Sequence, residues 1–361
     1  MELDELVSLR PVPAAGLLVA VTNRCPLACA HCSASSTPAG QEPDAAALTG
    51  FVDSFRTGRA PRVLMLTGGE PLLRPGLVAA LARRARPAGT RTAVLTGAFF
   101  AVRDGLADPV LDVIDAVDHF SVSIDAFHER EVPRPAVFRL LRRVLERGTA
   151  ASIHAIGATA ADGYLDELAE DVRAAFGAAV PILASTLRPV GRAALWASAA
   201  PAAPAAHSGP RSQPCAMAAW PVVAPDGTVL ACCNQLVVDR RPVPAHLRLG
   251  QLADGWSRIE AAALASPVLR LIRTTGPEYL ARLVPGPDGA AAETCAGTCA
   301  TCRALDPARL AGQQAVRLAA GPAGRLLDLE ATRRQVAAGP EEFLRRHASA
   351  RHAALVQART R

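Results

Sequence analysis

Lysine is missing from this chain: all 39 basic residues are arginine, against 33 acidic ones. An Ala- and Arg-rich composition without lysine reads as a coding bias, so the formal charge of +6 is discounted as a functional sign. Pairs such as Arg83–Arg84, Arg142–Arg143 and Arg333–Arg334 are expected to solvate helix faces. Aromatic residues are scarce at 4%, which argues against a nucleic-acid platform, where bases stack on rings between basic side chains. No apolar run approaches the roughly 20 residues of a membrane helix, and the acidic opening MELDELVSLR has no apolar signal segment. Neither a nucleic-acid nor a membrane partner is expected, and the location is read as cytoplasmic. In that compartment nine cysteines point to metal rather than disulfides. With 361 residues, half of them hydrophobic, the chain has room for one large folded unit and a smaller one.

Three of the cysteines, Cys25, Cys29 and Cys32, are crowded into VTNRCPLACAHC, a CxxxCxxC spacing at the end of the apolar run Leu17–Val21. Three thiolates on one short loop suit a cubane iron–sulfur cluster, whose usual ligand is cysteine. Such a loop leaves a fourth iron open to a ligand that is not protein. A zinc site or three unrelated core cysteines are the plainer readings, but zinc normally takes four ligands in a closed site.

From residue 16 to about 190 strand and helix patterns alternate. Strands are predicted at Leu17–Val21, Arg62–Leu66, Arg91–Leu95, Phe120–Ile124, Ser152–Ile156 and Val180–Thr186. Between them, Leu48, Phe51, Val52 and Phe55, and again Val137, Leu141, Val144 and Leu145, recur at helical spacing. Asp162 is placed to cap a further helix and Pro75 to start another. Six such units predict a parallel sheet with right-handed crossovers, in which sites collect at the carboxyl ends of the strands. The second strand ends in Gly68-Gly69-Glu70, where paired glycines allow close backbone approach and a carboxylate can accept from an ammonium group. The fourth places Ser121, Ser123 and Asp125 on one face, implying a polar cavity, since a strand buried on both sides should be apolar throughout. Ser152 and His154 share a face of the fifth. The sixth runs into Arg188-Pro-Val-Gly-Arg-Ala193.

The cysteine loop at the exit of a first strand, followed some 40 residues later by Gly-Gly-Glu, resembles the radical S-adenosylmethionine (radical SAM) superfamily. The resemblance implies a partial (β/α)6 barrel, a [4Fe-4S] cluster on Cys25, Cys29 and Cys32, and SAM chelating the open iron. It also implies SAM contacts from Gly68, Gly69 and Glu70 to the amino group, from Ser123 and Asp125 to the ribose or carboxylate, and from Arg188 to a carboxylate of SAM or substrate. The implied chemistry is reductive cleavage of SAM to a 5′-deoxyadenosyl radical that takes hydrogen from a substrate. His31 departs from the pattern, standing where an aromatic residue commonly precedes the third cysteine.

The Ala-, Pro- and Ser-rich stretch 194–211 reads as a linker between a barrel at 16–193, after a lead-in at 1–15, and a second cysteine set. Cys215 precedes a hairpin signal around Pro225-Asp226-Gly227, which delivers Cys232 and Cys233; Cys295, Cys299 and Cys302 follow. This region, 212–305, resembles the Twitch and SPASM auxiliary-cluster domains. The resemblance implies one auxiliary [4Fe-4S] cluster on Cys215, Cys232, Cys299 and Cys302, with Cys295 a further candidate. Residues 306–361 are predicted to form a solvated helical tail. The partners implied are a peptide or small-molecule substrate, an external flavodoxin- or ferredoxin-like reductant, and a separate leader-peptide recognition protein, because no such domain fits before residue 16. Modification of a ribosomally made peptide is the leading expectation. Oxidation or epimerisation of an aminoglycoside-like intermediate is the second, with Cys233 or Cys295 returning hydrogen, and a cluster-bearing scaffold or electron carrier is the reading from another class.

Overall fold

The computed structural model describes residues 1–103, 105–197, 212–284 and 297–357. Six parallel strands, β1 (Gly16–Thr22), β2 (Val63–Gly68), β3 (Arg91–Thr96), β4 (His119–Ser123), β5 (Ala150–Gly157) and β6 (Ile182–Thr186), lie side by side in chain order. Their apolar runs are buried nearly throughout, as parallel strands covered on both faces must be.

A first helix, α1 (Leu3–Ser8), precedes β1, and the crossovers carry α2 (Ala45–Asp53), α3 (Pro75–Ala85), α4 (Asp108–Ala116), α5 (Arg134–Glu146) and α6 (Gly163–Phe176). Their starts follow local chemistry: Asp44 accepts from Ala47 N at 2.7 Å and Asp162 from Tyr164 N at 3.1 Å, each satisfying a free helix N–H. On α5 the stripe Val137, Leu140, Leu141 and Val144 is buried against the sheet. The predicted strands and helices are all present within a few residues. Helix α4 is additional to the predicted elements, although Val110, Val113 and Ile114 have helical spacing.

The second cysteine region does not stand apart from this sheet. β7 (Val222–Val223) pairs parallel with β1, Leu18 facing Val222; β8 (Thr228–Leu230) and β9 (Arg248–Gln251) extend it antiparallel, giving the order β6-β5-β4-β3-β2-β1-β7-β8-β9. Trp220, buried beside this junction, lies against Gly16 so closely that a Cβ there would come within 2.2 Å of its ring.

The C-terminal segment is helical, as expected, and mostly exposed, but it also packs on the rest of the chain. The helix Pro322–His347, broken at Gly339 (φ +82°), buries Asp328 in an ion pair with Arg273 at 2.6 Å. Its last turn places Phe343 and Leu344 in an apolar cluster with Leu3 and Val7 of α1. Beyond it, Ser349 N donates to Ala184 O of β6 at 3.0 Å, covering that edge of the sheet. No helix among the described residues is long and apolar enough to cross a membrane.

Candidate active site: two adjoining cysteine-lined cavities

At the carboxyl ends of β1 to β6 lies a cavity of about 290 Å³. Cys25, Cys29 and Cys32 line it together with Gly68 and Gly69 from the end of β2, Ser123 and Asp125 from β4, and His154 from β5. Burial is the main cause that pushes the Cys25 thiol up to about 11 and Cys29 to about 12. Left alone these thiols would stay protonated and inert; a bound cationic group would draw them to thiolate. Among the described residues no three Cys, His, Asp or Glu side chains converge on a single metal-ion position. A cubane takes each thiolate on a separate iron and needs no such convergence, an arrangement that this donor set fits.

The cysteine loop is held from two sides. From β2, Gly69 N donates to Thr22 O at 2.7 Å and Glu70 N to Arg24 O at 2.8 Å. A Cβ at Gly68 or Gly69 would lie 2.1 Å from Thr22 O or 2.3 Å from Arg24 O. The paired glycines therefore admit the neighbouring backbone as well as facing the cavity. From the segment after β6, Arg192 donates through its backbone N to Cys32 O (2.9 Å) and through Nε to Cys29 O (2.9 Å), with Nη1 on Ser36 O. Gly191, at φ +58°, makes this possible, since a Cβ there would sit 2.2 Å from Ser33 O. Trp196 Nε1 adds a bond to Ala30 O at 2.8 Å.

Two carboxylates expected to contact a ligand, Glu70 and Asp125, also have partners within the protein. Glu70 is fully buried, outside the cavity lining. It accepts from Leu72 N (2.9 Å), Thr96 Oγ1 (2.7 Å) and Gly97 N (2.8 Å), tying the ends of β2 and β3, while burial raises its carboxyl to about 7. Asp125 lines the cavity, but one oxygen accepts from Phe127 N and His128 N, and the other meets His31 Nε2 at 3.1 Å. His31 also stacks on Phe127 with centroids 4.8 Å apart. The imidazole therefore fills the aromatic position and adds a polar tether. His128, unanticipated from sequence, donates through Nε2 to Gly97 O (2.9 Å) and brings Nδ1 within 3.6 Å of Cys29 Sγ.

Among the described residues His154 Nε2 is buried without a partner, and burial lowers the imidazole pKa to about 4. Ser152 and Ser121 are not in the cavity but beneath it. His119 donates through Nδ1 to Met1 O (2.8 Å), so its Nε2 accepts from Ser152 Oγ (2.8 Å), which in turn accepts from Ser121 (2.9 Å).

A second cavity, about 210 Å³, is lined by Cys215, Cys232, Cys233, Cys299 and Cys302. It gathers thiols that are more than 80 residues apart in sequence, and Ser33 lines both cavities. Burial pushes Cys215 up to about 11 and Cys302 to about 12. Cys232 Sγ accepts from Asn234 N at 3.3 Å, and Cys233 Sγ accepts from Arg10 Nη2 at 3.7 Å. Arg188, a candidate for a carboxylate of SAM or substrate, lines this second cavity and not the first; its Nη2 donates to His347 O at 3.3 Å. Cys295 lies outside the described residues.

The model of the radical SAM superfamily matches residues 19–172. Over 118 residues the chain is 37% identical to the PqqA peptide cyclase of Ruegeria pomeroyi, covering 32% of this chain and 29% of that one. It is 34% identical over 139 residues to the GTP 3′,8-cyclase of Geobacter sulfurreducens, covering 36% and 38% respectively. The match thus spans about a third of these relatives. Among solved structures, Streptococcus suis SuiB bound to S-adenosylmethionine shares the fold at a TM-score of 0.51 and 12% identity, over 74% of this chain and 69% of that one. SuiB bound to its precursor peptide SuiA superposes at 0.50 over 74% and 68%, also at 12% identity. The cysteine loop leaving β1 and the paired glycines leaving β2 both fall within residues 19–172, the stretch that matches the radical SAM superfamily model.

Proposed function

We propose that this chain is a radical SAM enzyme that modifies a peptide, with a second iron–sulfur cluster beside the first. The observation that carries the reading is the adjoining of two cysteine-lined cavities at Ser33, one at the strand ends and one built by the β7–β8 hairpin and the helix Thr298–Ala304. Cys25, Cys29 and Cys32 would hold the first cluster, and Cys215, Cys232, Cys299 and Cys302 the second. When bound, the first cluster supplies the electron that cleaves SAM and so the radical that takes hydrogen from the substrate.

The chain's own residues have separable tasks in this reading. Arg192, Gly69 and Trp196 fix the cysteine loop. Backbone at Gly68 and Gly69, with Ser123 and His154, presents polar contacts for a bound cofactor. Buried apolar strands and the His31–Phe127 stack exclude water. Among the described residues the second cavity has Arg188 and Arg303 in its lining and neither Asp nor Glu. A polycationic aminoglycoside would meet like charge there, whereas a neutral or acidic peptide would not. A pure electron carrier would have no use for the cavity at the strand ends.

The test is iron and sulfide per chain after anaerobic reconstitution, for the wild type and a Cys25→Ala/Cys29→Ala/Cys32→Ala variant. Two cubanes give roughly eight irons, falling to about four in the variant. About four in the wild type and none in the variant would remove the second cluster. SAM binding to the reconstituted wild type, measured alongside, separates an enzyme from a scaffold.

A further inference from the structure

The outer wall of the barrel carries a groove that the proposed chemistry does not use. It runs between α4, α5 and the turn Phe99–Val102 and has a volume of about 460 Å³. Leu106, Leu111 and Leu140 give it an apolar floor. Arg103, Arg139, Arg142 and Arg143 stand around it, with Glu146 the single acidic residue among the described residues of the lining.

Glu146 is already paired with Arg143 at 2.9 Å. Arg142 lies over the Phe176 ring at 5.5 Å, which holds its position without neutralising it. The guanidiniums of Arg103 and Arg139 have neither a hydrogen bond nor an ion pair among the described residues. On α4, Asp112 is taken by Arg83 and Asp115 by Arg147. Among the described lining residues, four arginines less one glutamate leave three positive charges at the rim of an aliphatic trough. Arg142 and Arg143, read from sequence as solvating a helix face, here border a concave apolar surface.

We propose that this groove docks an acidic amphipathic peptide segment, its aliphatic side chains on the leucine floor and its carboxylates on the arginine rim. Guanidinium forks match carboxylates bidentately, and an amphipathic helix laid into an apolar groove is an established mode of recognition. Single-stranded nucleic acid would share the charge, but among the described residues no aromatic ring lines the groove for bases to stack on. The inference stands on the groove alone and is independent of the radical chemistry.

The experiment is fluorescence anisotropy on the full reconstituted chain. The probe is a labelled 12-residue peptide with leucine at helical spacing and glutamate elsewhere. Controls are the same peptide with lysine for glutamate, and a 12-nucleotide single-stranded DNA. The glutamate peptide should bind saturably, and an Arg139→Glu/Arg142→Glu variant should weaken it about tenfold or more. Arg334→Glu, on the C-terminal helix, should leave it unchanged. Both reversed residues are exposed on α5, and an Arg139→Gln/Arg142→Gln variant, weakened several-fold, serves if the reversal unfolds the chain. No saturable binding, equal loss in the Arg334 variant, or equal binding of the DNA would each overturn the proposal.

Discussion

Replacing Arg192 with Ala should loosen the cysteine loop without unfolding the barrel. The side chain supplies two charge-assisted bonds, to Cys29 O at 2.9 Å and to Ser36 O. Hydrogen bonds to charged groups contribute about 1.5–3 kcal/mol each. Because this side chain is only partly buried, the pair is better taken as ~2–3 kcal/mol together. At 1.4 kcal/mol per tenfold, that favours the open loop by about 30- to 150-fold. The backbone bond from Arg192 N to Cys32 O is retained, so the loop should fray at Cys29 rather than detach. The assay is anaerobic iron release to a chelator after reconstitution, with the Cys25/Cys29/Cys32 triple alanine variant defining the contribution of the other cysteines. Arg192→Ala should release one class of iron faster by a factor within that range, with thermal unfolding of the barrel little changed. Arg192→Lys, which can reach one carbonyl at a time, should lie between. Iron release at the wild-type rate would refute the clamp.

The remaining expectations concern the frame around the site. Burial pushes His119 down to about 4 from the ordinary 6.5, so below pH 6.5 the unfolded chain takes a proton that the folded chain refuses. Its stabilisation is complete above pH 6.5 and lost as the pH falls toward 4, by ~3 kcal/mol in all. Urea unfolding between pH 7 and 4.5 should show the wild type losing about 1.4 kcal/mol per pH unit more than His119→Gln, and parallel profiles would exclude the buried neutral imidazole. Asp328→Ala strands the buried Arg273 guanidinium and should cost about 3–5 kcal/mol, read as a fall in thermal stability. Arg273→Met/Asp328→Leu should recover most of it, and a single variant with wild-type stability would show the pair to be idle.

What the sequence disclosed was whatever is local. Cys25, Cys29 and Cys32, the strand runs and the caps at Asp162 and Pro75 depend on neighbours within a few residues, and spacing alone identifies them. The direction of a carboxylate does not follow from spacing. Glu70 and Asp125 sit at strand ends where a cavity contact was the natural expectation. At those ends, however, the backbone N–H groups of Leu72, Gly97, Phe127 and His128 also need acceptors, and the carboxylates satisfy them. Arg188 and Arg192 are four residues apart in one motif. Only the turn at Gly191 decides that the second reaches the cysteine loop while the first faces the other cavity. The docking of β7 on β1 and the packing of the tail on α1 join segments roughly 200 and 340 residues apart, beyond any local pattern.

The pairing of β7 with β1 also governs how the molecule can be taken apart. A cut within the Ala- and Pro-rich stretch at 198–211 would look harmless on paper, since it falls between the two cysteine sets. It would nonetheless strip β1 of a hydrogen-bonding partner, remove Trp220 from over Gly16, and leave an apolar strand edge ready to recruit other chains. The amino-terminal piece should therefore precipitate rather than serve as a minimal enzyme. The same continuity makes the β7–β8 hairpin, which leads into Cys232 and Cys233, an extension of the sheet whose strand ends carry the first cavity.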